Sequence, residues 1–243
     1  MNADQAIAVE IANIRKLLAS IKSADYTAYL KDLENVDVDL ALELMFAWRR
    51  LLDDILAKSG DQAVATQILR KYDAGRRSPP WQEGSVKKAG ARRPQDGDDG
   101  NRRSRWLFEK THEFYATKTM ACLVELKFVL QTFSMVNGPS FPNDCTDLQT
   151  NPLLVKIVGH KIEPGRFVDP LTQECPDFNK FKADRRYLEA GHIKPHGRRG
   201  RHTCENATLA YRVSNRMQSD LTIDETLENM AKMLRNNGYS VTR

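Results

Sequence analysis

No stretch of this chain stays apolar for the roughly 18 residues that a membrane-crossing helix needs, so no membrane partner is expected. The opening, MNADQAIAVE, has neither the basic start nor the apolar core of a secretion signal, and a cytoplasmic location is the expectation. No cysteine pair has the C-x-x-C spacing: Cys122, Cys145, Cys175 and Cys204 stand 23, 30 and 29 residues apart. That speaks against a zinc ribbon and, in a reducing compartment, against disulfides. Buried or incidental free thiols are expected. Aliphatic residues are almost missing from 75–105, GRRSPPWQEGSVKKAGARRPQDGDDGNRRSR, which holds three Pro and five Gly. Such a segment cannot bury a core and reads as a basic flexible linker. Trp81, its one large apolar residue, docks on the fold or stacks on a base.

What is present is the mixture of a soluble globular protein, 41% apolar and 28% charged over 243 residues, enough for one sizeable core or two small ones. The net charge of +5 is unevenly placed. Residues 76–105 carry nine Lys/Arg against four Asp/Glu, and 182–201 carry seven against two. Each segment is therefore +5, and the remainder is −5. Concentrated positive charge is what a polyanion binder needs, because phosphates attract Lys/Arg and release counterions on binding. A solvated loop remains the other reading of 76–105.

Apolar periodicity outlines the elements. Ile7, Ile11, Ile14, Leu17, Leu18 and Ile21 form one stripe on a helix over 4–22. Ser23 and Asp25 are candidate caps for a short helix through Leu33. A third helix covers 37–58, with Gly60 as its stop, and a fourth runs from Asp61 to about Tyr72. Residues 1–74 thus read as a helical domain. After the linker at 75–105, a long core helix is expected over 106–138, ended by Asn137-Gly138-Pro139; His112 lies within it. Residues 139–180 read as loops and short strands, including LLVKIVG at 153–159 and RFV at 166–168. From Leu188 the pattern is strand (LEAGHIKP), loop (GRRGRHTCEN) and helix (ATLAYRVSNRMQSD). A last helix, TIDETLENMAKMLRNNG, has Thr222 and Glu225 as a capping box and Gly238 as stop.

Chemistry concentrates in one place. Three of the five histidines, His192, His196 and His202, fall within eleven residues, in the most basic stretch of the chain. Asn206 and Asn215 follow. Phosphodiester hydrolysis needs a base to activate water, a cation to stabilise charge growing on the phosphate, and basic groups to hold the backbone in line. Histidine suits the first role, oxygen ligands from Asn, Asp or Glu suit Mg²⁺ in the second, and Arg198, Arg199 and Arg201 suit the third.

GHIKPHGRRGRHTCENATLAYRVSNRMQSD (191–220) resembles the motif of the HNH, or ββα-metal, nuclease family: Asp-His-Ile-x-Pro, a Gly-rich loop, Thr-x-x-Asn, then Asn-x-x-Lys-Gly-Asp. His192-Ile193-Lys194-Pro195 matches the first part and Gly197 and Gly200 the loop. Thr203 to Asn206 matches the third part and Asn215 to Asp220 the last. The intervals, 14 residues from His192 to Asn206 and nine from Asn206 to Asn215, are similar to the family's. VDPLTQECPDF (168–178) is similar to its lead-in. The resemblance covers about 50 residues and says nothing of 1–140. It implies that His192 is the general base, that Asn206 braces the loop by bonding to backbone, and that Asn215 presents a metal ligand. Lys194, Arg198, Arg199, Arg201, His202 and Arg216 would face DNA.

Two positions depart from the motif. Gly191 stands where the family has an Asp or His metal ligand, and Gln218 where it has a Lys. Glu189, two residues earlier on the same strand face, is the expected replacement ligand, with help from His202 or Gln218. The alternative cap role of Asn206, at the start of a helix, also stands at this stage. The expected whole is an α+β chain with an N-terminal helical domain, a basic linker, a core helix and an HNH nuclease module over 139–243. Its expected activity is Mg²⁺-dependent cleavage of double-stranded DNA, foremost as a site-specific restriction endonuclease acting as a homodimer. Another HNH nuclease, of phage-defence, nicking or toxin type, or a catalytically inactive nucleic-acid-binding protein, are the alternatives.

If both +5 segments meet phosphates, DNA binding will weaken steeply with salt, and deleting 76–105 will flatten the slope of log affinity against log salt. A slope unchanged by the deletion would make that stretch a solvated linker only.

Overall fold

In a computed structural model, which describes residues 2–61, 63–64, 105–107, 109–111, 115–142, 144–184 and 186–242, the helices start where short polar side chains can satisfy their open N–H groups. Helix α1 (Ala3–Ala19) is entered through a capping box of Asn2 and Gln5. The Asp37 carboxylate accepts from the Asp39 and Leu40 N–H groups to open α3 (Val38–Lys58). Between them, α2 (Ser23–Lys31) begins with Ser23 already inside the helix and no side-chain cap. It ends before Leu33, which belongs to a separate 3₁₀ turn. Ile7, Ile11 and Ile14 of α1 and Leu44, Trp48, Leu51 and Leu52 of α3 are buried, as their spacing requires.

The next helix is shorter than its composition implies. Residues 105–107 form a 3₁₀ turn, and α4 begins only at Lys118, where the Thr117 hydroxyl accepts from Met120 N–H, and runs to Phe133. Apolar content fixes what is buried; the cap fixes the start. Every residue from Thr119 to Phe133 is buried, so α4 is packed on all sides. Trp48 meets Phe133 edge-on at 5.6 Å, and Phe133 stacks on Phe141 at 4.6 Å. One apolar cluster runs from Ile7 and Trp48 through Phe133 to Leu188, Ala207 and Leu209; each large side chain in it contributes roughly 2–3 kcal/mol.

Residues 153–159 are not a strand. Asn151 caps, Pro152 occupies the first turn, and Gly159 ends helix α6 (Pro152–Val158) with φ +93°. A seven-residue apolar run fits helix or strand equally, and the flanking Asn-Pro and Gly decide it. Short helices α5 (Thr146–Gln149) and α7 (Phe178–Ala183) complete this region. Its extended pairing among the described residues is a single bridge between Val136 and Asp177, and 166–168 reaches the end of α4 through Phe167 N–H, which donates to the Ser134 carbonyl.

The C-terminal part holds strand β1 (Leu188–His192), a loop, strand β2 (Ala207–Tyr211), helix α8 (Arg212–Gln218) and helix α9 (Ile223–Asn236). β1 and β2 are antiparallel, with Gly191 opposite Thr208 and His192 opposite Ala207. ATLAY, expected to be helical, is therefore β2: its five residues lie between the loop and α8, with four of them buried. Asn206 consequently precedes a strand and caps no helix. The capping box of Thr222 and Glu225 and the left-handed Gly238 bound α9 as expected. The architecture is α+β, helices with a two-stranded antiparallel sheet among the described residues. None of the described helices is long and apolar enough to cross a membrane. Most of the helix expected over Asp61–Tyr72, the segment 75–104 with Trp81, and His112 lie outside the described residues.

Two polar residues on α4 hold the sheet to the core. The Gln131 side chain donates to the Thr208 hydroxyl at 2.8 Å and accepts from Leu209 N–H at 3.0 Å. One turn earlier, the Lys127 ammonium donates to the Cys204 carbonyl. Gln131→Ala would leave the buried Leu209 N–H without this acceptor and the Thr208 hydroxyl with only the Leu209 carbonyl, at a cost of about 2–4 kcal/mol. The expected fall in Tm by calorimetry is roughly 5–15 °C; a change below about 2 °C would mean the sheet is held by apolar contact alone.

Candidate active site

The motif residues meet on β1, its loop and α8. Asn206 sits at the end of the loop and closes it. Its Oδ1 accepts from Lys194 N–H at 2.7 Å, and its Nδ2 donates to the carbonyls of Lys194 at 3.0 Å and Arg201 at 2.7 Å. Inside this closure the chain is so tight that a Cβ on Gly200 would lie 1.8 Å from the Lys194 carbonyl oxygen. Only glycine fits there, because the obstacle is backbone. Arg199 takes the left-handed conformation at φ +62° beside it. The Gln218 side chain reaches back from α8 and donates to the Ile193 carbonyl at 2.6 Å and the His192 carbonyl at 3.3 Å. Its amide is thus engaged with backbone at the end of β1.

The three histidines form one group. His192 Nε2 lies 3.0 Å from His202 Nδ1, and the His192 and His196 ring centres are 4.1 Å apart. His196 Nδ1 donates to the Gly200 carbonyl at 2.7 Å. His202, expected on the DNA-facing rim, is instead buried beneath the loop. Burial pushes its imidazole well below the ordinary value of 6.5, and the positive charge of Arg105 and of the other two histidines pushes the same way. A neutral His202 offers one ring nitrogen as donor and one as acceptor. It can accept from His192 Nε2–H and leave His192 Nδ1 with a lone pair.

Glu189 and Asn215 are brought together from β1 and α8. Asn215 Nδ2 donates to Glu189 Oε2 at 3.3 Å, while Glu189 Oε1 lies 3.3 Å from Arg212 Nε and 3.7 Å from an Arg216 nitrogen. A Cβ on Gly191 would fall 2.5 Å from Asn215 Oδ1, so the Asn215 side chain fills the space that a side chain at 191 would take. The two donors are of the hard-oxygen class that Mg²⁺ accepts in ones and twos with water completing its shell. Among the described residues no three His, Cys, Asp or Glu side chains converge in a metal-binding group.

Lys194, Arg199, Arg201 and Arg216 are exposed around this site. Arg198 is tied down, its Nε donating to the Asp220 carbonyl at 3.2 Å and its guanidinium 3.4 Å from Glu225. Arg212, which shares Glu189, was not singled out in the sequence. Neither was Asp169, whose buried carboxylate accepts from the N–H groups of Leu171, Thr172 and Tyr211 and so ties the lead-in loop to the start of α8. A short polar residue before Pro170 was the available signal for that turn.

No protein-family model matches the chain, and no curated protein matches it. Among solved structures it is similar to a type II restriction endonuclease, at 17% identity and a TM-score of 0.46, over 75% of this chain and 80% of that one. So loose a likeness fixes no residue's role.

The buried His202 sets an acid limit on the fold. Below pH ~6.5 the unfolded chain protonates this residue and the folded chain does not, so the unfolded state binds more protons and stability falls as pH falls. His160, lowered chiefly by burial, adds in the same sense. Tm should hold near pH 7–8 and decline below about 6.5, with His202 contributing up to ~1.4 kcal/mol per pH unit. His202→Gln should flatten part of that decline; an unchanged pH profile would assign the acid sensitivity to other groups.

Proposed function

We propose that this chain is a divalent-metal-dependent DNA endonuclease of the HNH type, most simply a site-specific restriction endonuclease that pairs as a homodimer on a palindromic duplex. The observation that carries the reading is the gathering of His192, Asn206 and Asn215, 14 and nine residues apart in sequence, on one strand–loop–strand–helix unit with exposed cations beside it.

In this reading His192 accepts the proton of the attacking water at Nδ1. His202 takes the His192 Nε2–H and so selects the tautomer in which Nδ1 is basic. Once His192 is protonated, the same contact becomes a charge-assisted hydrogen bond and stabilises the imidazolium. Gln218 fixes the backbone at the base and Asn206 the loop that follows it. Lys194, Arg199, Arg201 and Arg216 hold phosphates and keep the scissile bond in line. Glu189 and Asn215 would hold the cation, and Mg²⁺ is the expected ion because both donors are hard oxygens.

 When bound, that cation would offset the negative charge that develops on the phosphate.

One observation favours a second reading. Glu189 is already engaged by Arg212 and Arg216, and Gly191 contributes no ligand. A chain that binds nucleic acid without cutting it would look the same at these two positions.

Digestion of plasmid DNA with and without Mg²⁺ separates the two. Discrete fragments are expected, where a nonspecific nuclease would leave a smear and an inactive binder intact plasmid with retarded mobility. His192→Ala should retain DNA binding and lose cleavage by about 10²–10⁴-fold, and a loss of less than about tenfold would remove His192 from the role of base. Glu189→Gln should raise the Mg²⁺ concentration for half-maximal cleavage. A metal titration that does not move would take Glu189 out of the ligand set.

A further inference from the structure

Helix α9 buries only Thr226 among its 14 residues, yet Ile223, Leu227, Met230 and Leu234 recur along it at spacings of four, three and four. Leu227 and Leu234 are each 44% exposed and Met233 is 59% exposed. On the neighbouring α8, Val213 and Met217 also face solvent. The two sets are continuous across a groove of about 700 Å³ lined by Val213, Met217, Leu227 and Met230. An isolated helix of this length is marginal in water, and helices in proteins are held mainly by burying an apolar face. The apolar stripe of α9 is more than the described residues cover.

The charges on α9 indicate what covers it. Asp224, Glu225 and Glu228 lie in its first half, Lys232 and Arg235 in its second. At 100° per residue, Asp224, Glu228 and Arg235 fall on one edge of the apolar stripe. Turned end for end about a point between Met230 and Ala231, a second α9 sets its Leu234 across from Leu227. Its Arg235 then falls between Asp224 and Glu228. A parallel two-fold would put this edge of each helix on opposite sides of the pair, where Arg235 meets neither carboxylate. The stripe is therefore self-complementary in the antiparallel sense, which is the property of an interface built on a two-fold axis.

We propose that a second copy of this chain docks antiparallel on α9, with the exposed side of α8 extending the contact. The interface lies on the face of α8 that carries Val213 and Met217, whereas Asn215 and Gln218 of the same helix contact β1. Pairing leaves those contacts in place and fixes the two β1–β2 units relative to one another. The surface is independent of the reaction proposed above: its test reads mass, and the reaction's test reads cleavage.

Sedimentation equilibrium of the full chain across a concentration series is expected to give twice the chain mass. Leu227→Glu with Leu234→Glu should shift it to the monomer, with far-UV circular dichroism unchanged because both side chains are half exposed, and Tm lowered only by the lost association. Arg235→Glu should weaken association about tenfold, and adding Glu228→Arg should restore most of it. A wild-type chain monomeric up to roughly 100 μM, or a dimer that survives the double glutamate variant, overturns the proposal. A loss on Arg235→Glu that Glu228→Arg fails to restore overturns the antiparallel register.

Discussion

The side chain of Gln131 is the constraint on which the rest of the C-terminal part depends. A two-stranded sheet is at best marginally stable in water, and β1–β2 has no third strand among the described residues. It stands because β2 lies against α4, and α4 is buried on every side. An apolar helix would hold the strand without setting its register. Gln131 sets it, since one amide satisfies both the Thr208 hydroxyl and the Leu209 N–H. With β2 fixed, antiparallel pairing fixes β1, and with β1 the position of His192. Lys127 carries the same function into the loop through the Cys204 carbonyl. Burial pushes that ammonium down, so the contact trades desolvation against a hydrogen bond to a carbonyl that would otherwise be unsatisfied.

The loop is arranged around the same point. Asn206 takes up three backbone groups, and Gln218 takes up the carbonyls of His192 and Ile193. Backbone left open by an irregular loop must find partners, and here two side-chain amides provide them. The ring of His192 is held as firmly as its backbone, by a histidine that burial keeps neutral. Any variant that lets water reach His202 will therefore loosen His192 as well as raise the acid tolerance of the fold.

Much of this was legible in the sequence, and the parts that were not have specific causes. The stripes of α1, α3 and α9 and the Thr222–Glu225 box mark their elements because period and cap agree. The α4 start was lost because 106–117 is as apolar as a helix, and only Thr117 marks the boundary. Residues 153–159 and ATLAY were misread for one reason: runs of five to seven residues are too short for period to separate helix from strand. That His192, Asn206 and Asn215 belong to one unit was expected from the motif they resemble. The partnership of His192 with His202 was not, because it depends on how the loop folds back, which the tight approach at Gly200 decides. The roles of Gln131 and Lys127 had one trace, two long polar residues four apart in a mainly apolar helix, and Glu125 and Thr132 beside them diluted it.

Gly191 and Asn215 are best understood as one feature. Taken alone, a glycine where the resembled motif carries a ligand looks like a loss. The geometry ties the two together: Asn215 Oδ1 sits 2.5 Å from where a Cβ at 191 would be, so a side chain at 191 and the present Asn215 rotamer exclude one another. An aspartate at 191 could enter only if Asn215 moved, and moving Asn215 would break its contact with Glu189. Glu189 lies two residues along the same strand face, and the Asn215 amide fills the space beside Gly191. Arg212 and Arg216 balance the Glu189 charge, and Asn215 donates to its other oxygen. A cation approaching Glu189 must compete with both guanidiniums, so in the nuclease reading metal affinity at this site is set as much by those two arginines as by the ligands themselves.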